Sequence, residues 1–203
     1  LGGCRSRRDP KAPWWSWDHA PVGRLAAPIR SGTPLMRVAV LGAGAVGSRV
    51  VRQLLSTDAV DRIVLRDTSA ERLAQVSRSL GERVELEHHP FPSDLEADAV
   101  VVATPRGTQL EAVEAAIRAR RPAVLVGNGL AETIAVLHLA GAAAQAGVPV
   151  VVGAGFAPGF SCVLAAHGRS WFDTVREMHI SKAGTGGPAC ALVHHRALSR
   201  RSY

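Results

Sequence analysis

Six residues, Gly42-Ala43-Gly44-Ala45-Val46-Gly47, constrain this 203-residue chain more than any others. They follow Arg37-Val38-Ala39-Val40-Leu41, an aliphatic run that is continuous rather than alternating, as in a parallel strand buried on both faces. Behind them, Val46, Val50, Val51, Leu54 and Leu55 recur at helical spacing. Asp67 stands twenty residues beyond Gly47, at the end of a second predicted strand, Ile63-Val64-Leu65. Each glycine has its own task. Gly42 permits a tight turn, Gly44 lacks the Cβ that would push a diphosphate away, and Gly47 lets the helix pack close to the strand. The start of the helix offers unpaired N–H groups and about half a positive charge to an anion. G-x-G-x-x-G alone is common, but in this context it predicts dinucleotide binding by Gly42, Gly44, Ala45, Val46, Gly47 and Asp67.

The alternation continues down the chain. Thr68 or Ser69 can cap a helix carrying Leu73, Val76 and Leu80 and stopped by Gly81; Val84-Glu85-Leu86 is a weaker strand. Residues 91–97 read as loop or a short helical turn, and Asp98-Ala99-Val100-Val101-Val102-Ala103 as another buried strand. Leu110, Val113 and Ile117 mark a helix, and Ala123-Val124-Leu125-Val126 a strand. A helix over about 132–146 and a strand over 148–152 complete the series. Strand and helix in turn predict an α/β fold, a Rossmann doubly wound parallel sheet with helices on both faces. After Val152 the composition shifts to a glycine-rich loop, Gly153 to Gly159, a short helix over 161–166 and a strand over 173–181. The domain organisation expected is a disordered leader over 1–35, an NAD(P)-binding domain over 36–155, and over 156–203 the beginning of an incomplete α+β substrate domain. Translation is expected to start at Met36.

A carboxylate at Asp67 can accept from both hydroxyls of the adenosine ribose. It would repel a 2′-phosphate by roughly 1 to 4 kcal/mol per charge pair at about 4 Å. Arg66 offers compensation but, as a strand neighbour, points to the opposite face. Thr68 and Ser69 remain as donors to a phosphate. The cofactor expected is NAD or NADP, leaning to NAD.

Composition excludes several classes. A 47% hydrophobic, 20% charged chain is globular rather than disordered throughout. The net charge of +7 invites a nucleic-acid reading, but the first 35 residues hold six basic residues against two acids, and elsewhere arginines alternate with acids. No nucleic-acid partner is expected. The longest apolar stretch, 139–160, contains Gln145, Pro149, Pro158 and several glycines, which suit a helix end, a strand and a loop better than a membrane span. With no signal-like segment, a cytoplasmic location is expected. Cys4, Cys162 and Cys190 are too scattered for a disulfide scaffold. Cys190 with His194 and His195 matches no standard zinc spacing, so no metal is expected; His88-His89 before Pro90 reads as loop.

The stretch 38–52, the strand end Val102-Ala103-Thr104-Pro105 and above all Gly153-Ala154-Gly155-Phe156-Ala157-Pro158-Gly159 resemble the saccharopine dehydrogenase-like family, over about residues 36–198. The resemblance implies hydride transfer between a nicotinamide and the carbon of an imine or secondary amine on an amino-acid-like small molecule. It implies that Thr104 and Pro105 pass near the nicotinamide, and that Phe156, Pro158 and Gly159 lead into the substrate domain; a homodimer is compatible with it. Lys182, His194, His195 and Arg196 are the weak candidates for polarising the imine or holding carboxylates. The chain departs from the family at Ala157 and near Asn128, where several members carry an acid, and members continue well past residue 203. A non-catalytic dinucleotide-binding module, sensor or truncated pseudoenzyme, is the alternative function. A different Rossmann enzyme, such as a sugar or dihydrodipicolinate-type reductase, is a third, and would carry a different substrate domain.

Overall fold

The computed structural model describes residues 36–90, 95–127, 129–181 and 187–199. The leader assigned to 1–35 lies outside them, as do Asn128 and Lys182. Six strands, β1 (Met36–Leu41), β2 (Val60–Asp67), β3 (Val84–His88), β4 (Ala99–Val102), β5 (Ala123–Leu125) and β6 (Val150–Val152), form one sheet of order β3-β2-β1-β4-β5-β6. Every pairing is parallel. This is the doubly wound order, with the chain reversing direction across the sheet between β1 and β4.

Parallel strands need helical crossovers, and both faces are therefore covered. α1 (Ala45–Leu55) and α2 (Ala70–Ser77) pack on one face, where Val38, Val40, Val51, Ile63, Leu65 and Leu73 are buried together. α3 (Gln109–Arg118), α4 (Leu130–Leu137) and α5 (Ala140–Ala146) cover the other, around Ala39, Leu41, Val100, Val102, Val113, Leu125 and Val136. Alternate residues of β1 thus feed opposite cores, which is why Arg37–Leu41 reads as an unbroken apolar run. Leu125 is fully buried in β5 between two paired strands. Leu125→Ala is expected to lower unfolding free energy by about 2–5 kcal/mol, through lost burial and the residual cavity. Urea unfolding should show this as a lower midpoint at unchanged slope.

The predicted series of elements is present, with three differences. The helix expected over 132–146 is two, α4 and α5, separated by a tightened turn in which the Leu139 N–H donates to the Val136 carbonyl. No glycine or proline causes this break. Leu139, in the turn, packs against the core, so tertiary contact overrides the local pattern. β3 runs two residues further than expected and takes His88 out of the loop assigned to it, because Asp67 of β2 extends the pairing to His88. The strand expected over 173–181 does not form. Its apolar residues Met178 and Ile180 are exposed, and no neighbouring strand among the described residues supplies the ladder a strand requires.

Beyond β6, α6 (Phe160–Arg169) and α7 (Pro188–Leu198) are the remaining helices among the described residues. The apolar stretch 139–160 resolves into α5, β6 and a glycine loop, and no helix of the described residues is long and apolar enough to cross a membrane.

Candidate functional site

The C-terminal ends of the strands form one rim of the sheet, and at its centre β1 and β4 diverge. Gly42 leaves β1 with φ +103°, a conformation that side chains disfavour, and a Cβ there would lie 2.6 Å from the Ala103 carbonyl oxygen. Its N–H donates to the Arg66 carbonyl and the Ala103 N–H donates to the Leu41 carbonyl, so the turn is tied to both neighbouring strands. At Gly47, buried in the first turn of α1, a Cβ would run into the Gly42 carbonyl. Gly44 differs from both: a Cβ there meets nothing within 4 Å. Two glycines are required by close approach within the protein, and the third faces open space.

Gly44 is also the N-cap of α1, with no side-chain hydrogen bond to the exposed helix start and no acid in the first turn. Ala45 and Val46 are exposed beside it. Unsatisfied N–H groups and a favourable dipole, with clear space in front of them, suit a diphosphate. The residues present therefore fit a dinucleotide.

Asp67 ends β2 on the same rim, almost wholly buried. Its Oδ2 accepts from the Ala43 N–H at 2.7 Å and its Oδ1 from the Ser69 N–H at 2.8 Å. The carboxylate thereby fixes the glycine turn as well as facing the ribose position. Ser69, rather than Thr68, caps α2, its Oγ accepting from the Arg72 N–H. Arg66 does point to the opposite face, where it pairs with Glu87. The cation beside Asp67 is Arg72, with Nη1 at 3.3 Å from Oδ2. Sequence reasoning passed over Arg72; its place three residues after the Ser69 cap, in the first helical turn, was the available signal.

On the other side of the switch point, Thr104 is buried and Pro105 exposed. Thr104 Oγ1 is buried without a hydrogen-bond partner among the described residues, a polar atom that a bound polar group would satisfy. Its carbonyl accepts from Gln109 Nε2 at 2.9 Å. Glu132, reaching from α4, accepts from the Gly107 and Gln109 N–H groups at 3.1 and 2.8 Å and so caps the start of α3. Neither Gln109 nor Glu132 carries a motif, and their roles are visible only once α3 and α4 are side by side.

The Gly153–Gly159 loop leaves β6 on this rim and is tied back to β5 by the Ala154 N–H donating to the Leu125 carbonyl. Gly159 has φ +126°, and a Cβ there would press on the carbonyls of Gly153 and Gly155. Of the weak catalytic candidates, Lys182 lies outside the described residues. His194, His195 and Arg196 are on α7, with the His195 and Arg196 side chains exposed. Gly187, just before α7, packs directly against Ala45. The start of α7 therefore stands beside the glycine turn, with His195 two helical turns further on. Cys162 and Cys190 are free, and no group of three metal-binding side chains occurs among the described residues.

Solved structures with a similar fold include apo saccharopine dehydrogenase (L-Glu forming) from Saccharomyces cerevisiae, at 19% identity and TM-score 0.53 over 66% of this chain and 30% of that one. GenD2 from gentamicin A biosynthesis, in complex with NAD, aligns at 24% identity and TM-score 0.47 over 63% of this chain and 37% of its own. A probable dehydrogenase from Thermotoga maritima aligns at 23% and 0.48, over 58% and 35%. These likenesses concern the fold alone, and the chain spans about a third of the length of the proteins it matches. No curated protein matches the chain in sequence. The family found is broader than the saccharopine dehydrogenase-like group the motifs suggested. Residues 36–154, more than half of the chain, match the GFO/IDH/MocA oxidoreductase family with its NAD-binding Rossmann fold, and the chain belongs to that family.

Proposed function

We propose that residues 36–155 are the cofactor domain, and 156–203 the beginning of the substrate domain, of an NAD-dependent oxidoreductase acting on an imine or secondary amine of an amino-acid-like substrate. The observation that carries the cofactor part is the open space at Gly44 before an uncapped helix start. In this reading Gly42, Gly44, Ala45, Val46 and Gly47 hold the diphosphate, Asp67 the adenosine ribose, and Thr104 and Pro105 border the nicotinamide. The nicotinamide, when bound, supplies or accepts the hydride. What the chain contributes is position. The Gly42 turn is braced by Asp67, and the Thr104 carbonyl is held by Gln109, so both halves of the rim are fixed before a ligand arrives. The imine part is supported by the Gly153–Gly159 loop, whose sequence resembles that of saccharopine dehydrogenase-like proteins and which the structure ties to the same rim.

The purified chain is titrated with NADH by calorimetry, then assayed by NADH absorbance against pairs of 2-oxo acids and amines, and with NAD against sugars and cyclitols. Saturable NADH binding, with oxidation only in the 2-oxo acid and amine arm, is the expected result. Turnover of a sugar or cyclitol would overturn the imine assignment, and binding without any turnover would favour the non-catalytic module.

A further inference from the structure

The adenosine end of this pocket carries more charge compensation than a ribose diol needs. The Asp67 side chain is only 4% exposed, and both its oxygens already accept from backbone N–H groups of Ala43 and Ser69. Arg72 Nη1 adds a third donor, 3.3 and 3.4 Å from the two oxygens. The Arg72 side chain, by contrast, is 50% exposed. A ligand approaching from solvent thus meets the guanidinium before the carboxylate.

The other charged and titratable groups around this end do not reverse that order. Glu71, in the same helical turn, accepts from Gln75 Nε2 at 3.3 Å along the exposed helix surface. His88, paired across the sheet with Asp67, has Nε2 3.1 Å from the Thr68 carbonyl. Arg66 and Glu87 pair on the opposite face of the sheet.

We propose that Arg72 makes this pocket accept a 2′-phosphate, so that the chain binds NADPH as well as NADH. The inference rests on the dinucleotide reading of the Gly42–Gly47 turn. An Asp alone at this position excludes NADP by charge repulsion, but here its charge is already matched by a guanidinium. That group's planar fork of donors suits a phosphate, and its flexible stem lets it turn outward from the carboxylate. NADH loses little in the exchange, because the ribose hydroxyls still face Asp67.

The test is calorimetric titration of the full chain with NADH and with NADPH, for wild type, Arg72→Ala and Arg72→Lys, with circular dichroism confirming folding. Wild type is expected to bind the two within about tenfold of each other, and Arg72→Ala to weaken NADPH by about 30-fold or more while NADH changes by less than about threefold. Arg72→Lys should recover part of the NADPH affinity, since it restores the charge without the fork. Wild-type NADPH binding weaker than NADH by about 100-fold or more would overturn the proposal and leave NAD binding standing. Equal weakening of both cofactors by Arg72→Ala would also overturn it, making Arg72 a structural partner of Asp67. Binding of neither cofactor to wild type would overturn this inference and the dinucleotide reading together.

Discussion

Gly44→Val is expected to weaken NADH binding by about 100-fold or more, equivalent to about 2.7 kcal/mol or more, while leaving the protein folded. The two halves of this expectation have separate grounds. Gly44 has φ −70° and ψ −175°, extended backbone that a valine adopts readily, and no atom within 4 Å of where its Cβ would stand. The fold therefore has no reason to respond. The cofactor does, because an isopropyl group at the start of α1 would stand where the diphosphate must approach the N–H groups. Calorimetric titration with NADH and a thermal melt of the same sample check both halves. Undiminished binding by the folded variant would place the dinucleotide elsewhere.

Three residues on, the same type of substitution should do the opposite. Gly47→Val is expected to destabilise the fold by about 3 kcal/mol or more, through overpacking against rigid backbone. Its Cβ would overlap the Gly42 carbonyl oxygen and sit 3.0 Å from the carbonyl carbon, with the Ala103 Cβ behind at 3.6 Å. None of these is the yielding end of a long side chain. Relief requires α1 to move away from β1, which uncovers Val51 from its place beside Val38 and Val40. For a domain of this size the melting midpoint should fall by about 6–12 °C. A midpoint within about 2 °C of wild type would mean that the helix does not pack as closely as described. The two valines together separate a glycine kept for a ligand from one kept for the protein, a distinction the motif G-x-G-x-x-G does not make.

Much of the fold was legible in the chain because its signals are local. The aliphatic runs at 37–41, 63–65 and 98–103 read as buried strands, and each became one. The spacing of Gly42, Gly44 and Gly47 implied a strand–turn–helix corner with Asp67 across from it, and the Ala43 N–H indeed donates to that carboxylate. Where the reading failed, the deciding partner was distant. Residues 173–181 have the apolar content of a strand but no neighbour to pair with. Nothing in 130–146 marks the turn at His138 and Leu139. Gln109 and Glu132 look like ordinary helix residues, yet they brace the rim through contacts across 5 and 23 positions.

The sequence by itself determined the doubly wound architecture and the glycine corner, because hydrophobic period and backbone permissiveness are properties of short segments. Only the tertiary structure decided which cation serves Asp67. Arg66 is adjacent in the chain but is sent to the far face by the pleat of β2, whereas Arg72 is brought back by the first turn of α2. It also brought Gly187 against Ala45 from more than a hundred residues away. Charge pairing and close packing depend on distance in space, and that distance is set by how the helices lie on the sheet.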